Sequence, residues 1–141
     1  MAVVGRILRI SRYLDRRVNQ SVEPFGIAIW GFDLLATLRR QGAPYAMTPS
    51  DLMQSVMLSS GAMTNRIDKL EEMGLVRRKP SPSDRRSLLV ELTGQGLKVI
   101  DEAIAVRFKE ADDAVSGLTK KDQKQLGTLL KQMLMHLESQ A

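Results

Sequence analysis

Residues 80–87, "PSPSDRRS", separate two short apolar runs and place three consecutive charged side chains, Asp84, Arg85 and Arg86, at the centre of the connection. A tight connection between strands needs only Gly, Asn, Pro or Asp to turn. Adjacent arginines at an exposed tip point instead to an anionic partner outside the protein. Beside a helix lying in a DNA major groove, such a tip would reach the neighbouring minor groove. That groove is narrow and strongly negative over A·T-rich sequence and accepts arginine side chains. In that setting Asp84 would hold the Arg86 guanidinium through a bidentate pair and aim it. Arg77, Arg78, Lys79 and Arg85 would add phosphate contacts. The bland alternative is a solvated loop stiffened by proline.

A second group of chemically suggestive residues precedes the tip. In "SSGAMTNRIDKLEEMG", residues 59–74, Met63, Ile67 and Leu70 recur at helical spacing. At about 100° per residue, pointing them inward leaves Gly61, Asn65 and Asp68 outward and Ser60 and Thr64 on the flank. Ser59, Ser60, Gly61, Thr64 and Asn65 give the first turns a small, polar surface suited to close approach to base edges. The free N–H groups at the same end suit a phosphate. The competing reading is that these side chains only solvate the face.

Other chemistries find little support. Cysteine is absent, which removes disulfides, Cys-zinc sites and thiol nucleophiles and fits a reducing, cytoplasmic setting. His136, the single histidine, sits in a C-terminal helical stretch and reads as solvated. Gly94-x-Gly96 opens a helix and lacks the preceding strand and third glycine of a dinucleotide loop. We therefore expect no enzyme, cofactor or metal. The 141 residues fit one domain, 43% hydrophobic, with a formal net charge of +5. That balance suits nucleic acid or an acidic membrane surface. No apolar run approaches the roughly 18 residues needed to span a bilayer. The arginine-rich N-terminus also admits readings as a transit peptide or an interfacial helix, but it continues into a folded chain without a cleavage signal.

The elements that must position these residues follow from periodicity. Ile7, Ile10, Leu14 and Val18 predict a helix over 3–21, with Arg6, Arg9, Arg12 and Arg16 as a charged row. Trp30, Leu34, Leu35 and Leu38 predict a second helix from about Ile27 to Gln41, closed by Gly42. "GAPYAM" breaks the pattern. Thr48, Pro49 and Asp51 make a strong start for a short third helix, and Ser59 or Ser60 caps the next after a three- or four-residue turn, a helix-turn-helix spacing. "LVRRK" and "SLLVELT" flank the tip and read as a hairpin. Thr93 then caps a long helix with Leu97, Ile100, Ile104, Phe108, Ala111 and Val115 in register, ended by Gly117. Thr119 and Asp122 open the last helix, with Leu126, Leu130, Met133 and Leu137 in a row.

Helix-turn-helix followed by a hairpin is a winged helix, here mainly α (α+β) and spanning 27–92. The flanking stretches, 3–21 and 94–138, carry more apolar surface than so small a module covers. They are expected to be dimerisation helices; packing onto their own domain as a monomer is the alternative. Sequence-specific binding of double-stranded DNA by a homodimer is the leading function. A winged-helix dimer serving as a protein- or RNA-interaction module is the runner-up.

"SSGAMTNRIDKLEEMGLVRRKPSPSDRRSLLVELTGQG" and the helices on both sides resemble the MarR family of bacterial transcription regulators over nearly the whole chain. The most specific match is the Asp-x-Arg wing, Asp84 and Arg86, followed by Leu92-Thr93 and Gly96. The resemblance implies a winged-helix homodimer on a pseudo-palindromic operator, usually released by a small, often anionic or phenolic, effector. Met57 stands where many helix-turn-helix turns carry Gly. The chain is further similar to the urate-responsive branch around "GFDLLATLRR" and "SSGAMTNRIDKLEE". That likeness implies effector-linked positions at Asp33, Arg66 and Arg77, with an internal Asp-Arg structural pair as the alternative. It lacks that branch's N-terminal tryptophan extension, for which Trp30 is no substitute.

Overall fold

The computed structural model describes residues 1–56, 58–84 and 86–141; the sequence readings at Met57 and Arg85 lie outside the described residues. The chain forms α1 (Ala2–Val22), α2 (Ile29–Arg40), β1 (Ala46–Met47), α3 (Pro49–Val56), α4 (Ser60–Glu72), β2 (Val76–Pro80), β3 (Leu88–Leu92), α5 (Gly94–Ala114) and α6 (Lys120–Ser139), with a 3-10 turn over Glu23–Phe25. It divides into two compact units, Met1–Phe108 and Lys109–Ala141.

The first unit holds the winged helix, and its element ends follow from local chemistry. Pro24 and a left-handed Gly26 end the N-terminal helical stretch. The Asp51 N–H donates to Thr48 Oγ1 at 3.1 Å, and the Ala62 N–H to Ser59 Oγ at 3.3 Å, so each helix of the helix-turn-helix has a side-chain N-cap. Three residues separate α3 from α4, as expected. Leu34, Leu35, Leu38, Leu52, Met63, Ile67 and Leu70 interlock beneath the sheet residues Val76, Val90 and Leu92, with Ile100 of α5 fully buried among them.

The wing is a three-stranded antiparallel sheet in the order β1-β3-β2. The hairpin register pairs Val76 with Leu92 and Pro80 with Leu88. β1 was not expected from the sequence. "GAPYAM" does break the helical pattern, but Ala46 and Met47 then pair with Glu91 and Val90. A two-residue strand is too short to show a period-2 pattern, and its pairing is specified by β3 rather than by itself.

The terminal helices differ in burial. In α1 only Val22 is buried, while Val3, Leu8, Ile10 and Tyr13 are each more than half exposed. The first half of α5 buries Gly96, Ile100 and Ala103, whereas Phe108 is 71% exposed. In the second unit Thr119 caps α6 through the Asp122 N–H at 3.1 Å. α6 buries no residue and presents Leu129, Leu134, Met135 and Leu137 to solvent. No single helix among the described residues is long and apolar enough to cross a membrane.

The wing root is joined to α5 through close backbone packing. The Thr93 hydroxyl donates to the Gly74 carbonyl at 2.6 Å and accepts from the Gly96 N–H at 3.0 Å. The Thr93 N–H donates to the Leu75 carbonyl at 3.1 Å. A Cβ at position 96 would overlap that same Leu75 carbonyl group, which explains why glycine follows Leu92-Thr93 at this spacing. Gly96→Ala is therefore expected to destabilise the fold by about 1–3 kcal/mol. Gly94→Ala, where added bulk meets nothing within 4 Å, should stay within about 0.5 kcal/mol of the parent. Chemical denaturation of the two variants checks the contrast.

Candidate nucleic-acid interface and adjoining cavity

The recognition helix α4 presents the expected face. Ser59, Ser60, Gly61, Thr64 and Asn65 are exposed, and Met63, Ile67 and Leu70 are buried. Thr64 Oγ1 donates to the Ser60 carbonyl at 3.0 Å. Arg66 is half-buried, as its position on the helix requires, with its guanidinium carbon 5.4 Å from the Trp30 ring centroid; Lys69 lies at 6.0 Å from the same ring. These cation–π contacts join α4 to α2.

At the wing tip the structure corrects the role expected for the Asp84 carboxylate. Its Oδ1 accepts from the Arg86 backbone N–H at 2.9 Å, and its Oδ2 accepts from the Ser87 hydroxyl at 3.1 Å. Asp84 thus builds an Asx-type turn rather than holding the Arg86 guanidinium, because its short side chain reaches the backbone two residues ahead more easily than a long, mobile tip. Arg86 is exposed, and its side chain makes no ion pair among the described residues.

The strand cations also differ from expectation. Arg78 and Lys79, expected as phosphate contacts, form ion pairs with carboxylates of the same chain, and the period-2 alternation of β2 decides which ones. Arg77 and Lys79 share one face and meet Glu91 of β3, at 3.2 and 2.8 Å. Arg78 faces the other way, to Asp68 at 2.6 Å and Glu71 at 3.0 Å on α4. Glu91 is buried, and the Lys79 hydrogen bond, aided by Arg77, holds its carboxyl below the ordinary glutamate value despite the cost of burial. Sequence reading missed Glu91. The cross-strand pairing of Arg77 with Glu91 becomes legible only once the hairpin register is known.

Asp33, Arg66 and Arg77 are not brought together by any of their contacts, since Arg66 stacks on Trp30 and Arg77 pairs with Glu91. Asp33 instead lines a cavity of about 350 Å³ with Phe32, Ala36, Thr37, Arg40, Ser55 and Val56. Two cations missed by sequence reading act on it, Arg107 of α5 and Arg40. Arg40 lies seven residues from Asp33 on the same helical face, a signal the sequence did contain. Arg107 comes from a distant helix; its guanidinium lies 5.9 Å from the Phe32 ring, and its buried Nε has no hydrogen-bond partner among the described residues. By contrast, the gap of about 240 Å³ between Arg9, Arg12, Tyr13 and Arg16 is formed by side chains of α1 alone.

Desolvation raises the Asp33 carboxyl above its ordinary value of 3.8, outweighing the opposing pull of Arg107 and Arg40. A raised carboxyl destabilises the folded state above its folded pKa, and that penalty is relieved as pH falls towards 3.8. Asp33→Asn is accordingly expected to be somewhat more stable than the parent at pH 7, with the difference closing in acid. Thermal unfolding midpoints across that range check the sign.

Comparison with known proteins places this geometry. Residues 31–88, from α2 to the start of β3, match the model of the MarR family. Over 137 residues the chain is 34% identical to the HTH-type transcriptional regulator PecS of Dickeya dadantii, covering 97% of this chain and 82% of that protein. It is 28% identical to the multiple antibiotic resistance protein MarR of Escherichia coli over 133 residues, covering 93% and 90%. Among solved structures, a mutant of the Escherichia coli MarR complexed with operator DNA superposes with a TM-score of 0.75 at 28% identity, covering 93% of each chain. AbsC, a MarR family transcriptional regulator from Streptomyces coelicolor, gives 0.79 at 26% identity, covering 98% and 93%. With its helix-turn-helix, arginine-tipped wing and flanking helices, this chain belongs to the MarR family of winged-helix, DNA-binding transcription regulators, a family without enzymatic activity.

Proposed function

We propose that the chain acts in the cytoplasm as a homodimeric repressor of a pseudo-palindromic operator and is released from it by a small anionic or aromatic ligand. The observation that carries the DNA-binding part is the pairing of two exposed surfaces. The capped first turns of α4 show Ser59, Ser60, Gly61, Thr64 and Asn65, and the wing tip offers Arg86 on a turn fixed by Asp84. Small polar side chains read base edges in the major groove, and the arginine enters the minor groove beside it. Arg85 belongs to the same tip by sequence. The solved complex of the Escherichia coli MarR mutant with operator DNA supports this use of the fold.

A second copy of this chain is the natural cover for the apolar residues left exposed on α1, α5 and α6. Two copies related by a two-fold axis would present their α4 helices to successive major grooves about 34–36 Å apart. Arg86→Ala is expected to weaken operator binding by roughly 1–3 kcal/mol, most strongly where the wing meets A·T-rich DNA. Asp84→Ala should cost less, through a loosened turn. Titration of labelled duplexes with parent and variants measures this. An unchanged affinity and footprint in the Arg86 variant would remove the wing from the mechanism.

For the ligand, the cavity at Asp33 is the candidate site, since Arg66 lies over Trp30 and Arg77 pairs with Glu91. Phe32 gives an apolar wall, Ser55 gives a hydroxyl, and Arg40 and Arg107 attract an anion that competes with the Asp33 carboxylate. One wall is the last turn of α3, three residues before α4 begins, so a ligand there can displace the recognition helix. Its effect is limited by its differential affinity for the two states, with tenfold equal to about 1.4 kcal/mol. Urate is the first compound of this class to test, followed by salicylate-like aromatic acids. Such an anion should dissociate the protein–DNA complex, and Arg107→Ala should blunt the response. Release that is identical in the variant would move the switch elsewhere.

A further inference from the structure

Among the described residues of the wing, Arg78 has the most heavily engaged side chain. Its Nη1 donates to Glu71 Oε1 at 3.0 Å, and its Nη2 donates to Asp68 Oδ1 at 2.6 Å and to the Thr64 carbonyl at 3.5 Å. Its backbone N–H donates to Glu71 Oε2 at 2.9 Å. Thr64, Asp68 and Glu71 lie at steps of four and three, one stripe along the flank of α4. Among the described residues β2 is an edge strand, pairing with β3 alone. The Glu71 carboxylate therefore satisfies an edge N–H that would otherwise be open to water or to another chain. One planar cation held by two carboxylates is a fork geometry that lysine cannot reproduce.

We infer that Arg78 is a positioning residue that locks the wing to the recognition helix, so that the major-groove and minor-groove contacts meet DNA as one preorganised unit. This rests on the DNA-binding reading and gives Arg78 a role distinct from a phosphate contact. The charge balance separates the two. One arginine between two carboxylates leaves the cluster net negative, so simple electrostatics says that removing a carboxylate strengthens binding to a polyanion. The lock requires the opposite sign, since a wing free to swing must be ordered again when DNA binds.

The test uses the full chain and duplexes enriched from a random library by the parent protein, with affinity measured against salt concentration. Glu71→Gln and Arg78→Lys keep size and, in the second case, charge, and their unfolding midpoints identify any loss of fold. Both are expected to bind roughly tenfold more weakly than the parent. Their salt slopes should be unchanged, whereas loss of a phosphate contact lowers the slope by about 0.9. The added cost of Arg86→Ala should shrink in the Arg78→Lys background, because an unlocked wing already contributes less; a generally destabilised protein would keep that cost. Tighter binding by Glu71→Gln, parent-like affinity of Arg78→Lys, or an undiminished Arg86→Ala cost would each overturn the lock. If the parent enriches no duplex, the DNA reading fails separately. The lock is then judged by amide exchange of Arg78 in Glu71→Ala, where faster exchange supports it and unchanged protection overturns it.

Discussion

The close approach of α5 to the Leu75 backbone is the constraint on which the rest of the structure depends. The end of α4, the first residue of the wing and the start of the long helix all converge there. Gly74 turns the chain with a left-handed φ of 75°, Leu75 inserts its side chain into the core, and its carbonyl accepts the Thr93 N–H. The absence of a side chain at Gly96 lets the first turn of α5 sit against that carbonyl. With three elements fixed at one point, the direction of the wing and of the recognition helix are both set relative to α5 by backbone contacts, which deform far less readily than side-chain contacts.

Around that junction the charges sort into two classes. Cations on β2 are neutralised from inside: Arg77 and Lys79 by the buried Glu91, Arg78 by Asp68 and Glu71. Glu91 tolerates burial because two cations compensate it. Asp84 spends its carboxylate on the turn itself. Among the described residues, Arg86 on the tip and Ser59, Ser60, Thr64 and Asn65 at the start of α4 are exposed. A basic composition therefore does not translate into an unpaired cation at every lysine and arginine of the wing.

The cavity at Asp33 follows a different logic. Its carboxyl is held above its ordinary value by partial burial even with Arg40 and Arg107 nearby, and the Arg107 Nε is buried without a hydrogen-bond acceptor among the described residues. Groups kept in such surroundings cost stability, which marks a place where local consistency has been exchanged for something else. Its lining includes Ser55 and Val56 in the last turn of α3, the first helix of the helix-turn-helix.

Much of this protein was determined by sequence alone, because the signals were local. Helical periodicity, the caps at Thr48, Ser59, Thr93 and Thr119, and the Gly42 and Gly74 endings fixed the helices; alternation around a proline-stiffened tip fixed the hairpin. The outward set on α4 followed from helix geometry. What tertiary structure alone decided were the long-range partners. The two-residue β1 borrows its conformation from β3, Arg107 acts on Asp33 from a helix 74 positions away in sequence, and Arg78 of β2 pairs with Asp68 and Glu71 of α4. Residue type told that these side chains were charged. Which charge each would meet depended on hairpin register and helix packing, which bring together residues far apart in the chain.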